Sequence, residues 1–496
     1  MKYITISEAA KKLDLSERSV RNYCQHGRIP GAVLKGKNWQ IPEDCDRPRR
    51  SNGKENGQDD EFVTEGYKLV DFINKSPVNF FAVNNVKQQL LNLGYQECFE
   101  NKPTNFKAGD KALFVRNGTS IIAFDIGEDV DMGNANFHII ASHSDSPCFK
   151  IKPESDSKTD GYNKINIEPY GGLIMSTWLD RPLSIAGRVI IEKDGELESR
   201  LVNMEDINVM IPNLCIHFNR EINNGYKYDP AQDLQAFISQ GEEGNPLKDL
   251  IAKNLKVEKE DLINFDLYLY NKEFGYLWGN KKEFVSSSRL DDLECVYASL
   301  AAFKESHNPK AINVLYVADN EEVGSSSRQG ADSDFLDAVL NRICDDLEFK
   351  FNTCLANSFL ISADNAHAVH PNKPGMSDPN NRPYMNKGIA IKYNASQSYT
   401  SDAVSGAIFQ RLCENADVPY QFFTNRSDLR GGSTLGNILL SHVSLLSVDV
   451  GLPQLAMHSS FETAGTRDIK YAIDVFKQFY SSNIEVNGNR YKVGKE

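Results

Sequence analysis

Residues 312–324 read INVLYVADNEEVG, a mainly apolar and β-branched run that ends in acidic residues and a glycine. A short run of this kind predicts a strand buried on both faces. Because successive residues at a strand terminus point in different directions, one of Glu321 and Glu322 can ligate a metal while the other acts as base on a water molecule. The alternative is a solvated acidic turn, but ligand crevices of open α/β sheets lie at such strand ends.

The same theme recurs along the second half of the chain. Apolar runs followed by acidic residues or glycine and then by helix-like segments occupy 358–363, 389–393 and 443–450. Buried strands that alternate with helices predict an α/β sandwich with a mainly parallel central sheet. Residues 151–284 are richer in short strand-like segments, and we expect them to form an inserted, mostly β domain.

The amino-terminal residues have a different pattern. Residues 1–46 predict helix, tight turn, helix and a short β-wing. The pattern ISEAA (6–10), SVRNY (19–23) and GRIP (27–30) resembles the excisionase-like winged helix-turn-helix domains. The segment 47–61 is charged and has no apolar anchor between Pro48 and Asp60, so we expect a linker there.

Composition limits the class of protein. The chain has 496 residues, 40% of them hydrophobic and 25% charged, which excludes disordered and fibrous classes for the chain as a whole. The length favours about three domains. The formal charge is -13, but residues 1–50 hold eleven Lys and Arg against six Asp and Glu, a balance of +5 that leaves -18 for the remainder. The two parts are therefore expected to have different partners, with DNA a candidate for residues 1–46.

Cysteine usage and the lengths of the apolar runs indicate where the protein resides. The nine cysteines include no Cys-x-x-Cys pair, which disfavours a disulfide framework and a thiolate zinc knuckle. Apolar runs are far shorter than the ~20 residues of a membrane span, and the amino terminus lacks a signal-peptide core. The sequence predicts a cytoplasmic protein without membrane contact.

Metal-ligand residue types stand at several predicted element ends. His143 ends an apolar run, and Asp145 two positions on can hold its imidazole. Asp291 and Asp292 precede a helix-like run, where one carboxylate can bridge two ions and the other cap the helix, although capping alone is the commoner explanation. Asp364 and His458 end two further predicted strands. Together these residues form an oxygen and nitrogen ligand set suited to divalent zinc or cobalt.

Long ordered motifs support this hypothesis, and they lie at SHSDSPC (142–148), STWLDR (176–181), IPNLCIH (211–217), RLD (289–291), DNEEVGS (319–325), ADNAHAVHPN (363–372) and QLAMHS (454–459). With these motifs, residues 62–480 resemble the aspartyl aminopeptidase family of dinuclear-zinc exopeptidases. The resemblance implies a catalytic domain in two parts, 62–150 and 285–496, around a dimerisation domain at 151–284. It also implies homo-oligomers in which dimers assemble into a tetrahedral complex.

The resemblance further implies a role for each matching residue. His143, Asp291, Asp364, Glu322 and His458 hold two divalent ions, zinc first, with cobalt or manganese as alternatives, and Asp291 bridges them. Glu321 matches the general base, and His217 matches a histidine that reaches a neighbouring subunit's site. Lys392, with Lys387 as the fallback, matches the lysine that lines the pocket for an acidic first side chain. His370, in the motif ADNAHAVHPN, is a further residue on the substrate side.

The predicted function is a metal-dependent aminopeptidase that removes amino-terminal residues, Asp and Glu preferred, from peptides. Two alternatives stay open at this point. One is a DNA-binding regulator that uses a peptidase-like body as a scaffold. The other is a metal-dependent deacylase or another amidohydrolase.

Overall fold

A computed structural model describes residues 3–13, 17, 20, 21, 24, 29, 33–35, 38–43, 45, 57–133, 135–241 and 246–494. The chain divides into two compact units, Met1–Glu61 and Phe62–Glu496. Among the helices of these residues, none combines the length and the apolarity needed to cross a bilayer.

The described residues of the first unit include β1 Tyr3–Ile4, α1 Ile6–Leu13, β2 Val33–Lys35 and β3 Asn38–Pro42. Helix α1 starts with a reciprocal cap, since Thr5 Oγ1 accepts the Glu8 N–H while a Glu8 carboxylate oxygen accepts the Thr5 N–H. Strands β2 and β3 form an antiparallel hairpin where the wing is predicted. The predicted second helix, 17–26, lies mostly outside the described residues.

The strands of the second unit, in chain order, are β4 Gln96–Cys98, β5 Lys111–Arg116, β6 Ser120–Ile126, β7 Phe137–His143, β8 Cys148–Thr159, β9 Tyr162–Tyr170, β10 Leu183–Lys193, β11 Glu196–Asn203, β12 Ala236–Gln240, β13 Leu262–Asn271, β14 Tyr276–Trp278, β15 Phe284–Ser287, β16 Ile312–Ala318, β17 Phe359–Ala363, β18 Ala366–His367, β19 Ile389–Lys392, β20 Tyr420–Phe423, β21 Leu446–Gly451, β22 Pro453–Leu455, β23 Glu462–Gly465, β24 Ile484–Asn487 and β25 Arg490–Val493. The helices are α2 Gly57–Asn74, α3 Asn79–Leu91, α4 Pro246–Leu255, α5 Leu290–Glu305, α6 Phe335–Asp346, α7 Phe351–Ala356, α8 Ala403–Asn415, α9 Leu435–Leu439 and α10 Thr466–Ser481.

The largest sheet has nine strands in the order β20-β19-β21-β17-β7-β16-β6-β5-β4. Its centre, β21-β17-β7-β16, is parallel throughout. The pairings β19-β21, β16-β6 and β6-β5 are antiparallel, so the sheet is mixed towards both edges. All residues of β7, β16 and β17 are buried, which explains why these strands read as continuous apolar runs.

Two helical layers cover the sheet. One core cluster joins apolar side chains of α2, α3, α5, α8 and α10 to one face of the strands. A second cluster joins α6, α7 and α9 to the other face. The predicted α/β sandwich is therefore confirmed, and its parallel centre places the ends of β7, β16 and β17 along one edge.

A separate six-stranded sheet, β11-β10-β13-β8-β9-β12, carries its own core with helix α4. Its strands run from Cys148 to Asn271 and pair antiparallel. Most of this sheet lies within residues 151–284, and the assignment of that range as an inserted domain stays a prediction. A further sheet, β14-β15-β23-β22-β18, links residues after the insertion with the segments around His367 and Glu462.

Helix α2 begins at Gly57, inside the segment 47–61 that the sequence predicts as a linker. Residues 57–61 are therefore helical, and residues 46–56 lie outside the described part of the chain. The sequence GQDDE at this point is entirely polar, so an absence of apolar anchors did not distinguish a polar helix start from a linker.

Candidate metal centre

The carboxyl edge of the parallel strands collects the predicted ligands. His143 ends β7 and lies opposite Ala318, the last residue of β16. Asp364 follows β17, the neighbour of β7 on its other side. Asp291 enters from the start of helix α5, and His458 from the turn after β22. Each ligand thus comes from a different element.

With Glu322, which follows β16, the fold brings five side chains into two connected groups. In one group, His143 Nε2 lies 3.5 Å from Asp291 Oδ1 and 3.8 Å from Asp364 Oδ1. In the other, His458 Nε2 lies 3.5 Å from Asp291 Oδ2 and 3.2 Å from Glu322 Oε2. The potential ligand atoms within each group lie within 4.8 Å of one another. Asp291 belongs to both groups and turns one oxygen to each histidine.

The donor set fits a pair of divalent cations. Asp291 and Glu322 each keep a buried carboxylate oxygen without a hydrogen-bond partner among the described residues. An unpaired buried carboxylate oxygen is costly unless a cation or proton satisfies it. Two imidazoles and three carboxylates match the ligand preferences of zinc.

Without a cation, this cluster shifts the proton affinities of its members. Burial opposes the charge on His143, yet the Asp292 carboxylate and other acidic neighbours hold the pKa of His143 well above its usual value. Burial, followed by the charge of Asp291, raises the pKa of Glu322 well above normal. Burial also raises the pKa of Glu321 to about 8, assisted by the nearby carboxylates. Cation binding to such a site displaces protons.

Asp145 contacts both His143 and the turn after β16. Its backbone carbonyl lies 3.1 Å from His143 Nδ1, and its Oδ1 lies 3.4 Å from the same nitrogen. Its carboxylate also accepts the backbone N–H groups of Glu321 and Glu322, each at 3.2 Å. The predicted Asp145–His143 contact is present, and the same side chain also fixes the Glu321–Glu322 backbone.

Asp292 and Glu462 accept backbone N–H groups of the predicted ligands. The sequence predicts Asp292 as a helix cap, but its fully buried carboxylate accepts the His143 backbone N–H at 3.1 Å. Glu462 accepts the backbone N–H of His458 at 2.7 Å and of Asp291 at 3.1 Å. Sequence reasoning missed Glu462, because nothing about a lone glutamate four residues after His458 marks it.

The predicted substrate-side residues occupy different positions. Lys392 is buried, and its Nζ lies 3.4 Å from Asp364 Oδ2. Lys387 is exposed. His370 borders a cleft of about 390 Å³ that His367, Arg430 and Met457 also line. His367 escaped sequence reasoning although it stands in the same motif as His370.

His217 is not among the side chains gathered into the three potential metal-ligand groups of the described residues. It lies in an exposed stretch of the inserted domain between Ile216, 47% exposed, and Phe218, 81% exposed. Within a single chain, therefore, the fold does not bring His217 to the cluster.

Comparison with known proteins gives a consistent result. The family described as aminopeptidase I zinc metalloprotease (M18) matches residues 72–480, and a helix-turn-helix domain family matches residues 3–45. The chain is similar to a probable M18 family aminopeptidase 2 of Clostridium novyi, with 47% identity over 424 residues, 84% of this chain and 98% of that protein.

Solved structures also resemble the chain, among them the following two. Ape4 in its complex with Nbr1 has a TM-score of 0.83 at 34% identity, over 86% of this chain and 87% of that one. The mApe1 dodecamer of Saccharomyces cerevisiae has a TM-score of 0.74 at 28% identity, over 84% and 97% of the two chains.

Proposed function

The chain belongs to the M18 family of aminopeptidase zinc metalloproteases, and on that premise we propose that it removes acidic residues from the amino ends of peptides at a two-zinc centre. The observation that carries the proposal is the position of Asp291, whose two oxygens face two histidines. This membership also favours aminopeptidase activity over the deacylase and scaffold alternatives.

His143, Asp291 and Asp364 would hold one zinc ion, and Asp291, Glu322 and His458 the other. When bound, such ions supply Lewis acidity that polarises the peptide carbonyl and acidifies a water molecule. The chain itself supplies the ligands, their orientation and the proton transfers. Asp145 and Glu462 keep the ligand backbones in place through the hydrogen bonds described above.

Glu321 is the group that moves the proton. It stands beside the ligand Glu322 in a short 3₁₀ turn and joins the potential ligand group with His143. Because its side chain is half-buried, it can meet a water molecule while staying shielded from bulk solvent. We assign it the roles of base towards water and acid towards the leaving amine.

Lys392 supports the preference for acidic residues. Its ammonium is buried beside Asp364 and lies 5.5 Å from the ring centre of Tyr399. Burial opposes its charge, but Asp364 and other negative groups raise the pKa of Lys392 above normal, so it stays cationic. A fixed positive charge beside the metal ligands would attract a substrate carboxylate, whereas the exposed Lys387 has no such position.

His217 would act in a homo-oligomer, at the site of a neighbouring subunit. The inserted domain exposes apolar side chains near His217, including Leu214 at 58% and Phe218 at 81%. A hollow of about 600 Å³ lies beside them, lined by Leu214, Tyr226 and Phe237 among others. Exposed apolar clusters next to a hollow are typical of association surfaces. With the S. cerevisiae mApe1 dodecamer as a precedent, we place this surface between subunits of a homo-oligomer.

A second function, DNA binding, is proposed for residues 1–46. These residues match a helix-turn-helix domain family over residues 3–45. Their positive charge contrasts with the negative remainder of the chain. Several such modules on one homo-oligomer would raise avidity for DNA without new contacts.

Replacing Glu321 by Gln is expected to lower kcat by about 10² to 10⁴, the usual share of a general base, with zinc content unchanged. Glu322→Gln is the matched variant and should lose zinc instead. Activity on aminoacyl reporters and metal analysis of both proteins make the comparison. Zinc lost from the Glu321 variant but kept in the Glu322 variant would reverse the two roles.

Lys392→Ala should narrow the preference for Asp- over Leu-initiated peptides by about tenfold to a hundredfold, since a hydrogen bond to a charged group contributes about 1.5 to 3 kcal/mol. The ratio of kcat/KM for the two substrates is the measurement, with zinc content checked in parallel. Lys387→Ala serves as the comparison. A change of ratio in that variant alone would transfer the role to Lys387.

His217→Phe should reduce activity although the residue lies outside its own chain's cluster. Subunits with His217→Phe, co-assembled with inactive Glu321→Gln subunits, should regain activity, because each Glu321→Gln chain still donates an intact His217. Activity of the mixed assembly no higher than that of either parent would argue against a shared site.

Deletion of residues 1–56, just before helix α2, should leave kcat/KM within about twofold, because none of the proposed metal ligands, the base or the substrate-side residues lies in that part of the sequence. The full-length protein should shift a DNA duplex at low salt and release it as salt rises, since phosphate contacts release counterions. Mobility-shift titrations of both proteins at two salt concentrations test this. No binding by the full chain at low salt would remove the nucleic-acid role.

A further inference from the structure

A short segment of the inserted domain passes along the metal centre. It comprises residues 170–174, at the end of strand β9, and we refer to it as the strap. The Gly172 carbonyl lies 3.0 Å from His458 Nδ1, and the Ile174 N–H donates to the His458 carbonyl at 2.9 Å. A Cβ at Gly171 would lie 3.2 Å from the Glu322 Cβ, so glycine permits this close approach. The inserted domain therefore contacts two of the proposed ligands directly.

The first residue of the strap, Tyr170, is joined to the turn that carries Glu321. Its hydroxyl donates to Asp145 Oδ2 at 2.8 Å. The same carboxylate accepts the Glu322 N–H on Oδ2 and the Glu321 N–H on Oδ1. One carboxylate thus connects the phenol to the backbone of both glutamates.

Asn320 holds the phenol from the other side. Its Nδ2 donates to the Tyr170 hydroxyl at 2.8 Å, while its Oδ1 accepts from Ser327 Oγ and Gln329 Nε2. Because the hydroxyl receives this amide hydrogen, its own hydrogen is directed to Asp145. Asn320 immediately precedes Glu321 and has a left-handed backbone with φ +59°. The start of the turn is therefore held at Asn320 through its side chain and at Glu321 through its backbone N–H.

The ring of Tyr170 packs against the six-stranded sheet. It packs edge-on against Tyr268 of β13, with ring centres 5.7 Å apart. Lys150 of β8 in turn lies over the Tyr268 ring at 5.5 Å. The phenol is therefore a rigid link from the inserted sheet to the Glu321 turn.

We propose that Tyr170 is a positioning residue for Glu321, acting through Asp145 and Asn320. This inference rests on the proposed role of Glu321 as base. The Tyr170 hydroxyl contacts Asp145 and Asn320, so it acts on Glu321 indirectly. Its contribution is to keep the base in the geometry that proton transfer requires, where a displacement of about 1 Å is enough to slow catalysis about a hundredfold.

The test is Tyr170→Phe, which removes one hydroxyl and keeps the ring. We expect kcat to fall about 10- to 100-fold, as for other residues that orient catalytic groups, with KM within about twofold and zinc content unchanged. Tyr270→Phe is the matched control, because that hydroxyl donates at the same 2.8 Å distance to Asn203 within the inserted sheet. The control should keep wild-type kcat, and the thermal midpoints of both variants should agree.

A double-mutant cycle separates positioning of Glu321 from a general structural effect. In a Glu321→Gln background, Tyr170→Phe should cause no further loss, because the group that it positions is already gone. An equal fold-loss in both backgrounds overturns the proposal, as does recovery of Tyr170→Phe by added zinc. Unchanged kcat in Tyr170→Phe, with kcat lowered in Glu321→Gln, overturns only the positioning role. Full activity in Glu321→Gln overturns the base assignment and the inference together.

Discussion

Asp291 presents one carboxylate oxygen to His143 and the other to His458, and the arrangement of the site follows from that requirement. Both oxygens lie in a nearly water-free position between the two histidines, since Asp291 is only 3% exposed. The free-energy cost of burying an isolated carboxylate is prohibitive, so groups that interact favourably with its charge have to surround it. The two histidines provide them, and they hold the pKa of Asp291 below its usual value in spite of burial.

The rest of the site supports this one side chain. Glu462 holds the backbone of Asp291 and that of His458, so the two cannot move apart independently. Asp292 holds the backbone of His143 in the same way. The parallel sheet supplies the fixed edge from which His143 and Asp364 project, and the strap from the inserted domain closes the opposite side against Glu322 and His458. The nine-stranded and the six-stranded sheets thus both contribute to positioning one centre.

Much of this architecture was predictable from the sequence because strand burial leaves a strong pattern. The run 312–318 is fully buried in the structure, and the residue types at its end and at the end of β7 are the ones that gather into metal-ligand groups. Asp364 and His458 followed from the same reasoning. The roles assigned to these residues stay predictions, whereas their proximity is observed.

Other features depend on tertiary contacts that leave no local signal. Glu462 accepts the backbone N–H of Asp291, 171 residues earlier, and Tyr170 accepts from Asn320, 150 residues later. Neither stands in a motif with ligand spacing. Asp292 has a capping position in sequence but a different backbone, so its carboxylate turns to His143. Lys392 was predicted on the substrate side, and its Asp364 contact depends on how β19 lies beside β21. The polar first turn of α2 gave no apolar periodicity to detect.

Anomalous diffraction at the zinc absorption edge, on crystals of the full chain grown with zinc, tests the central role of Asp291 most directly. Two peaks about 3.5 to 4 Å apart are expected, each about 2.0 to 2.2 Å from a different Asp291 oxygen. A single peak, or two peaks of which only one contacts Asp291, would contradict it.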